Sequence, residues 1–288
     1  MIIDCSVFFN ESDLFYLRLL TLGEYVDKFV VIEADTTHHG DYKGYNFDKN
    51  NILYKSYANK IIHYKISLSS SSPWDREKEN RNRIYEILYD LSLDDEDCIL
   101  ISDADEIANP NVIKELYKFD LIGLNQMNFV HFYNCWAQTC CVNTFSIKYK
   151  YLKNANNLTN NMAIEYFRRR KNDLPKINNG GWHYSYICDE DGIYKKSISI
   201  AEGHKNNSPS QFQGLINNVK NTKRSPFAKK DLLFMEIYNK PKVNLIYETV
   251  IGISPFERWV FEEDIFDIRP ESLIKEPYFK KNIELNLD

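Results

Sequence analysis

Residues 98–106 read CILISDADE, and this stretch decides the fold that the sequence predicts. Its first four residues are uniformly apolar, which is typical of a β-strand buried on both faces of a sheet. Asp103 and Asp105 follow at once, at the strand's carboxyl end, where open α/β sheets bind their ligands. Alternate residues of an extended segment point the same way, so we expect both carboxylates to face one divalent ion, Mg²⁺ or Mn²⁺, held with substrate phosphates.

The chain before this stretch alternates between strand and helix patterns. A continuous apolar run at residues 29–32 predicts a second buried strand, and residues 61–66, which read IIHYKI, predict another strand. Residues 15–26 carry apolar side chains at helical spacing, and a second helix is predicted from about Asp75. Strands that alternate with helices favour a parallel sheet, so the sequence predicts an α/β fold for this part of the chain.

The pattern changes after the acidic residues. Residues 121–134 and 144–152 alternate as strands do, without an obvious helix between them. The Asn-rich residues 154–161 predict a mobile loop, and the basic run at residues 168–171 predicts a solvated surface.

The last part of the chain carries two helical patterns, at residues 211–220 and 231–238. No linker or internal repeat divides the sequence, so we expect one catalytic domain with an elaboration packed on it. The predicted divisions are a catalytic domain at 1–205, made of a nucleotide-binding half at 1–110 and an acceptor half at 111–205, and a C-terminal elaboration at 206–288.

The composition excludes several classes of protein. The 288 residues include 36 Lys and Arg against 41 Asp and Glu, and a net charge of −5 is a poor basis for binding nucleic acid. A hydrophobic share of 43% excludes a disordered chain. No apolar stretch reaches the ~20 residues of a membrane helix, and no secretory signal is visible, so we expect a cytoplasmic protein, for which peripheral membrane association stays open. The six cysteines form no CxxC pair and are expected to be reduced.

The acidic residues also admit other interpretations. Many D-x-D patterns lie on solvated turns. A phosphohydrolase of the DxDxT type needs a Thr two residues after the second Asp, and Ile107 stands there instead. The alternative that stays open is a non-catalytic nucleotide- or carbohydrate-binding protein of the same fold.

Four blocks of the sequence resemble glycosyltransferase family 17, in the same order and at similar spacing. The blocks are DC at 4–5 with FNE at 9–11 and RL at 18–19, VDKFVVIE at 26–33 with TTHHG at 36–40, SDADEI at 102–107, and GWHYS at 181–185 with GIYKK at 192–196. Together they cover about residues 1–205. Each block is modest alone, and their combination is more specific.

The resemblance implies a GT-A-like, Rossmann-type fold of nucleotide-diphospho-sugar transferases with a C-terminal helical elaboration. It implies an inverting enzyme that moves a sugar from a UDP-sugar donor to a glycan or lipid-linked saccharide acceptor, with Mn²⁺ or Mg²⁺ on the DxD motif. The family's animal members transfer N-acetylglucosamine, which suggests that sugar here. Their membrane anchor has no counterpart in this sequence, so their location and acceptor are not carried over.

The resemblance also assigns residues to the donor site. Asp103 and Asp105 match the DxD metal ligands, and His183 of the GWH block is a third metal ligand or a donor to phosphate. Glu33, at the end of the second predicted strand, is expected to contact the nucleoside. Arg81 and Asn82 resemble an Arg-Asn pair whose guanidinium would bind uracil or diphosphate oxygens.

An inverting transfer also needs a base for the acceptor hydroxyl. Glu202 is the predicted base, with Asp189 or Glu190 in reserve, and His204 is a further catalytic candidate beside His183. Family members read Ser-Phe-Ala-His-x-Glu after the fourth block, whereas residues 199–204 read SIAEGH, with acid and imidazole exchanged.

Overall fold

The computed structural model describes residues 1–234, and its sheet contains the parallel strands that the sequence predicts. These strands are β1 (Ile2–Phe8), β2 (Lys28–Ala34), β3 (Ile61–Ile66) and β4 (Cys98–Asp103). They lie side by side in the order β3-β2-β1-β4, and all three pairings are parallel. Helix α1 (Ser12–Leu22) connects β1 to β2, and α2 (Pro73–Asp90) lies between β3 and β4. The α/β prediction for this part of the chain is confirmed.

The two connecting helices cover opposite faces of these strands. Phe29 and Val31 of β2 pack in one apolar cluster with Phe15 of α1. Their neighbours Val30 and Ile32 pack in the other cluster with Ile84 of α2. Successive side chains of a strand point to opposite faces, so a strand covered on both sides needs an unbroken apolar run. This requirement explains why the unbroken apolar runs of β2 and β4 predict buried strands.

Helix α2 begins at Pro73, slightly before the predicted start near Asp75. The side chain of Ser72 accepts a hydrogen bond from the Asp75 N–H at 3.2 Å and caps the helix. Proline suits the first turn of a helix because it has no N–H to leave unpaired. The same helix carries Asn80 and Arg81 towards the carboxyl ends of the parallel strands, where the site is built.

The other half of the sheet is mixed. Its strands are β5 (Glu106–Ala108), β6 (Leu121–Val130), β7 (Cys135–Lys148), β8 (Lys176–Ser185) and β9 (Leu233–Phe234). The order continues as β4-β7-β6-β8-β5, and β9 pairs with β7. Strand β5 runs antiparallel to β8 and sets Glu106 opposite His183. The topology thus brings the GWH block directly beside the acidic residues.

One glycine makes that pairing feasible. Gly181 has a φ of +136°, and a Cβ atom built there would lie 2.1 Å from the carbonyl oxygen of Ile107. Only glycine adopts this backbone conformation readily, and only glycine lets β8 come so close to β5. The glycine therefore positions His183, two residues later, against the acidic residues.

Some sequence predictions for the second half are wrong. The remaining helices are α3 (Pro110–Ile113), α4 (Tyr149–Leu158), α5 (Ala163–Arg169), α6 (Glu190–Ser199) and α7 (Leu215–Thr222). Helix α4 replaces most of the loop predicted at 154–161, because Tyr149, Leu152 and Asn156 form a buried face at helical spacing. The strand predicted at 144–152 ends at Lys148.

The predicted C-terminal helices have different outcomes. Helix α7 overlaps the helix predicted at 211–220, but it begins at Leu215 and extends to Thr222. In the segment predicted as helical at 231–238, Leu233–Phe234 is a strand, and the residues from 235 onward lie outside the described part. Val219 of α7 packs with Val130 and Phe132 of the sheet half that carries β6. The division into a catalytic domain and an elaboration stays a prediction.

Two expectations from the composition can be compared with the structure. None of the helices within residues 1–234 combines the length and apolar character needed to cross a bilayer. All six cysteines lie in this part of the chain, and none of them forms a disulfide. Cys5 and Cys98 are buried in β1 and β4 as small apolar side chains, in agreement with the prediction.

Candidate active site

The acidic residues 103–106 form a turn between β4 and β5, which we call the acidic turn. Strand β4 ends at Asp103, Ala104 and Asp105 make the turn, and β5 begins at Glu106. The sequence analysis treated this segment as extended, with both aspartates facing one ion. The extended backbone is wrong, because the turn interrupts the alternation of side chains, and the shared ion stays a prediction. The two carboxylates consequently have different hydrogen-bond partners.

Arg18 of α1 holds the acidic turn from inside the protein. Its guanidinium is fully buried and pairs with the carboxylate of Asp4, which is also buried. The same guanidinium donates to the hydroxyl of Ser102 and to the backbone carbonyls of Asp103, at 3.2 Å, and Glu106, at 3.0 Å. A buried arginine is tolerated only when its donors are satisfied, and here several of them fix the backbone of the turn.

Two arginines bind one side of the turn, which we call the arginine side (Asp103, Glu106, Arg81 and Arg168). Arg81 donates to both oxygens of Asp103, at 3.2 and 2.9 Å, and Arg168 donates to the same carboxylate at 2.8 Å. Arg168 also binds both oxygens of Glu106, at 2.7 and 2.8 Å. Burial opposes ionisation of Asp103, but the charges of Arg168 and Arg81 outweigh it and hold the pKa of Asp103 well below its usual range.

A lysine and a histidine face the other side of the turn, which we call the lysine side (Asp105, His183 and Lys196). The ammonium of Lys196, on α6, lies 2.8 Å from Oδ2 of Asp105. Nε2 of His183 lies 3.8 Å from the other oxygen of Asp105. Burial again opposes ionisation, but Lys196 and then His183 lower the pKa of Asp105 from its ordinary value. Asp105 is therefore an anion at neutral pH.

The acidic turn and His183 could hold a metal ion. Ligand atoms of Asp105, Glu106 and His183 all lie within 4.8 Å of one another. Nδ1 of His183 lies 3.1 Å from the side-chain oxygen of Asn128 and 3.3 Å from the side-chain nitrogen of Asn143. In the tautomer that carries its proton on Nδ1, Nδ1 donates to Asn128 and the lone pair of Nε2 is left for a cation. Carboxylate oxygens with one such imidazole suit a divalent cation, so this group fits the implied metal. Glu106 belongs to this cluster, whereas Asp103, which the sequence predicts to be a metal ligand, does not.

These residues line a cavity of about 280 Å³ at the carboxyl ends of the parallel strands. Its charged lining consists of five basic side chains, Lys43, Arg81, Arg168, Lys171 and Lys196, and six acidic ones, Glu11, Glu77, Asp103, Asp105, Glu106 and Glu202. The two signs nearly balance. A dianionic ligand that arrives with a divalent cation would therefore leave the local charge almost unchanged, which keeps the cost of burying both low.

Three residues that line this cavity each carry a buried polar atom without a hydrogen-bond partner within residues 1–234. These atoms are the hydroxyl of Thr36, Nδ1 of His38 and the side-chain oxygen of Asn80. Burial, and next the charge of Arg81, lower the pKa of His38 to about 4, so its imidazole is neutral at physiological pH. Buried polar groups are nearly always paired in a folded protein, so this group of three indicates a ligand that brings its own donors and acceptors.

The structure places five of the predicted site residues on this cavity: Arg81, Asp103, Asp105, His183 and Glu202. Three others lie outside its lining. Glu33 is buried, and its carboxylate accepts the backbone N–H groups of Asn46 and Phe47 and contacts Lys43 and His63.

Asn82 and His204 are the other two predicted residues outside the cavity lining. The side chain of Asn82 donates to the carbonyl of Lys78 at 2.8 Å and accepts from the N–H of Glu165 at 3.2 Å, so it joins α2 to α5. His204 is exposed. The reserve bases are engaged elsewhere too: Asp189 caps α6, and Glu190 accepts the N–H of Ile216.

Several residues of the site are not predicted from the sequence. The basic run at 168–171 was predicted to be solvated, which is wrong for Arg168, whose side chain is only 11% exposed and inserts between Asp103 and Glu106. Lys171 lines the cavity as well. Glu11 and Lys196 stood inside the blocks of the family resemblance, which was the signal that could have identified them. No local pattern marked Arg168, because its partners lie more than sixty residues away.

The fold and the site together define an α/β protein with a charged, metal-capable cavity at the carboxyl ends of its parallel strands. The family model of glycosyltransferase family 17 matches residues 1–195, and the chain belongs to that family. A comparison with curated proteins gives no match. The matched range contains the acidic turn, Arg81, Arg168 and His183, and it stops one residue before Lys196. Family membership supports a transferase that acts in glycan synthesis.

Proposed function

We propose that this protein is an inverting, metal-dependent glycosyltransferase that moves a sugar from a UDP-sugar to a glycan or lipid-linked saccharide acceptor. The observation that carries the proposal is the juxtaposition of Asp105, Glu106 and His183 in a cavity lined by both basic and acidic side chains, within a chain of this family. The GT-A-like assignment of the fold belongs to the same proposal, and the parallel order β3-β2-β1-β4 with the acidic turn at its edge supports it.

The basic side chains of the cavity would bind the donor's diphosphate. Arg81 and Lys171 line the same wall as the acidic turn, and guanidinium groups suit phosphate oxygens because they donate two parallel hydrogen bonds. The unpaired atoms of Thr36, His38 and Asn80 would hydrogen-bond the nucleoside. The predicted role of Glu33 at the nucleoside finds no support in its buried contacts with residues 43–47.

Asp105, Glu106 and His183 would hold the divalent ion, Mn²⁺ or Mg²⁺. When bound, the ion offsets the negative charge that collects on the departing diphosphate. Glu106 is already engaged by Arg168, so Asp105 and His183 carry the more accessible ligand atoms. Asn128 orients His183 for this task through its contact with Nδ1.

The acceptor hydroxyl must lose a proton as the new glycosidic bond forms. Glu202 is our proposed base because it lines the cavity and is exposed at its opening, where an acceptor can reach it. Glu11 is a second carboxylate on the cavity. Burial raises the pKa of Glu11, partly offset by Lys196, but its Oε2 atom accepts two backbone N–H groups, at 2.9 and 3.1 Å, and is less free to take a proton.

N-acetylglucosamine is the sugar that we propose, on the strength of the family resemblance alone. The cytoplasmic location and the peripheral contact with a membrane stay predictions from the sequence. The donor can be identified by incubating the protein with Mn²⁺ and a panel of UDP-sugars and measuring the release of UDP. Slow release in water, and faster release with an acceptor, would separate an enzyme from a non-catalytic binding protein.

The central experiment measures the stabilisation of the protein by UDP with and without Mn²⁺. A ligand at 100 times its Kd adds about 2.7 kcal/mol to the free energy of unfolding, which a thermal shift detects easily. We expect UDP to stabilise the wild type only when Mn²⁺ is present, and Asp105→Asn to lose the effect. Asp191→Asn is the matched control, because Asp191 is exposed and pairs with Lys195 at the surface.

The turnover assay then tests the base. Glu202→Gln should retain UDP binding and lower the rate of transfer on the order of 10²–10⁴-fold, as the loss of a general base does. Glu11→Gln should lower it much less. No stabilisation by UDP under any condition would contradict the proposed function, and so would release of inorganic phosphate in place of UDP.

A further inference from the structure

Lys196 forms an ion pair with Asp105, which is one of the carboxylates of the metal-capable cluster. Its ammonium lies 2.8 Å from Oδ2 of Asp105, while the other oxygen of Asp105 faces Nε2 of His183. A divalent cation bound between Asp105 and His183 would therefore lie within a few ångströms of a positive charge. Like charges at such a distance repel, and the repulsion is stronger in a partly buried site than in bulk water.

The contacts of Lys196 leave it able to move. Arg168, for comparison, is held by Asp103, by both oxygens of Glu106 and by the backbone carbonyl of Asn143. Among the described residues 1–234, Lys196 makes one hydrogen bond, to Asp105, and its ammonium lies 5.2 Å from the centre of the Tyr186 ring. Its side chain is 19% exposed and lines the cavity, and a lysine is a compact charge on a flexible stem.

We propose that Lys196 is a displaceable counter-ion, which neutralises Asp105 in the free protein and moves to the donor's diphosphate when the metal and the nucleotide enter. The inference rests on the proposed function and assigns to this residue the coupling between the two ligands. The diphosphate draws the ammonium from Asp105, so the metal binds more tightly, and the metal in turn releases the ammonium for the diphosphate. Metal and nucleotide must then bind with positive cooperativity, and the coupling is reciprocal.

The test titrates Mn²⁺ alone, with free Mn²⁺ followed by electron paramagnetic resonance, and then repeats the titration in saturating UDP. The variant is Lys196→Met, which keeps the length of the side chain and removes its charge. Lys195→Met is the matched control, because Lys195 is the exposed neighbour on the same helix and pairs with Asp191. Lys196→Arg keeps the charge, and uridine replaces UDP as a nucleoside without phosphate.

We expect UDP to tighten Mn²⁺ binding to the wild type and to Lys195→Met by roughly 5–150-fold, the usual range of coupling between two sites. Lys196→Met should bind Mn²⁺ alone roughly tenfold more tightly than the wild type and bind UDP more weakly, because the competing cation is gone. Its coupling factor should fall below that of Lys195→Met, and the part that remains comes from direct contact between the ion and the diphosphate. Lys196→Arg should restore coupling, and uridine should give none in any variant.

The inference is overturned if Lys196→Met shows the Mn²⁺ affinity and the UDP coupling of Lys195→Met. That result would leave the proposed function intact, since the wild type would still bind both ligands. A wild type that binds neither Mn²⁺ nor UDP would overturn both proposals. If Lys196→Met fails to fold, as judged by circular dichroism, Lys196→Gln takes its place and is held to the same two criteria.

Discussion

The two sides of the acidic turn differ in how firmly their carboxylates are held. On the arginine side, Asp103 and Glu106 receive a dense set of hydrogen bonds from Arg81 and Arg168. On the lysine side, Asp105 has one hydrogen bond from Lys196 and a longer approach from His183. Carboxylates that are two residues apart can therefore serve different purposes: one side fixes the turn in place, and the other offers ligand atoms.

The largest effect on stability is expected at Arg18, which binds the backbone of the acidic turn from the protein interior. Arg18→Leu leaves the carboxylate of Asp4 buried without its partner and removes the bonds to the turn backbone. Breaking a buried ion pair in this way costs about 3–5 kcal/mol, which urea unfolding measures. Adding Asp4→Leu should recover much of the loss. Arg83→Ala, at an exposed arginine, should change stability by less than about 1 kcal/mol.

A smaller effect should separate the two sides of the turn themselves. Arg168→Met leaves Glu106, whose side chain is 2% exposed, with the N–H of Asp103 as its remaining donor. Losing hydrogen bonds to a buried charge should lower the free energy of unfolding by about 2–3 kcal/mol. Lys196→Met should lower it by less than Arg168→Met does, because within residues 1–234 Lys196 makes a single hydrogen bond to Asp105, and His183 stays near the same carboxylate. Equal losses of stability in Arg168→Met and Lys196→Met would contradict the difference between the two sides of the turn.

The smallest effect concerns the dependence of stability on pH. The folded protein keeps Asp103 ionised below its ordinary pKa of about 3.9, whereas the unfolded chain takes up the proton there. The free energy of unfolding should therefore fall as the pH drops below about 4. Arg168→Met brings the pKa of Asp103 nearer to its ordinary value, so its stability should depend less steeply on pH in that range. A profile of unchanged slope would contradict this origin of the lowered pKa.

A buried histidine supplies an internal reference for that experiment. Burial lowers the pKa of His131 to about 4, so its neutral form stabilises the fold above its ordinary pKa, and that stabilisation is lost as the pH falls from about 6.5 to 4. His131 directly follows β6, and its imidazole contacts the hydroxyl of Ser225. The loss between pH 6.5 and 4 should consequently be the same in the wild type and in Arg168→Met.

The parallel part of the fold could be predicted from the sequence because its signals are local. Strands β2 and β4 each contain an unbroken apolar run, β3 is a short segment rich in Ile, and α1 carries an apolar stripe, so each signal is complete within a few residues. Asp105 and His183 could be named because motif and family blocks marked them. The second half was harder, since the buried face of α4 is spread over an Asn-rich segment whose composition favoured a loop.

The differences between the expected and the observed surroundings of the site residues have a common physical cause, which is competition from other parts of the chain. Glu33 ends a strand, as a nucleoside contact would, but residues 43–47 fold over it and take up its carboxylate. Arg168 lies in a basic run that reads as surface, yet the fold inserts it between Asp103 and Glu106. Likewise, the extended geometry expected for the two aspartates gave way to a turn that Arg18 holds.

Anomalous diffraction at the manganese edge, from crystals grown with Mn²⁺ and UDP, tests the account most directly. We predict a manganese peak within coordination distance of Asp105 and His183, with Asp103 still bound by Arg81 and Arg168. The ammonium of Lys196 should then lie against a phosphate oxygen of UDP. A peak on Asp103 in place of Asp105, or UDP bound while Lys196 remains on Asp105, would contradict the difference between the two sides of the turn.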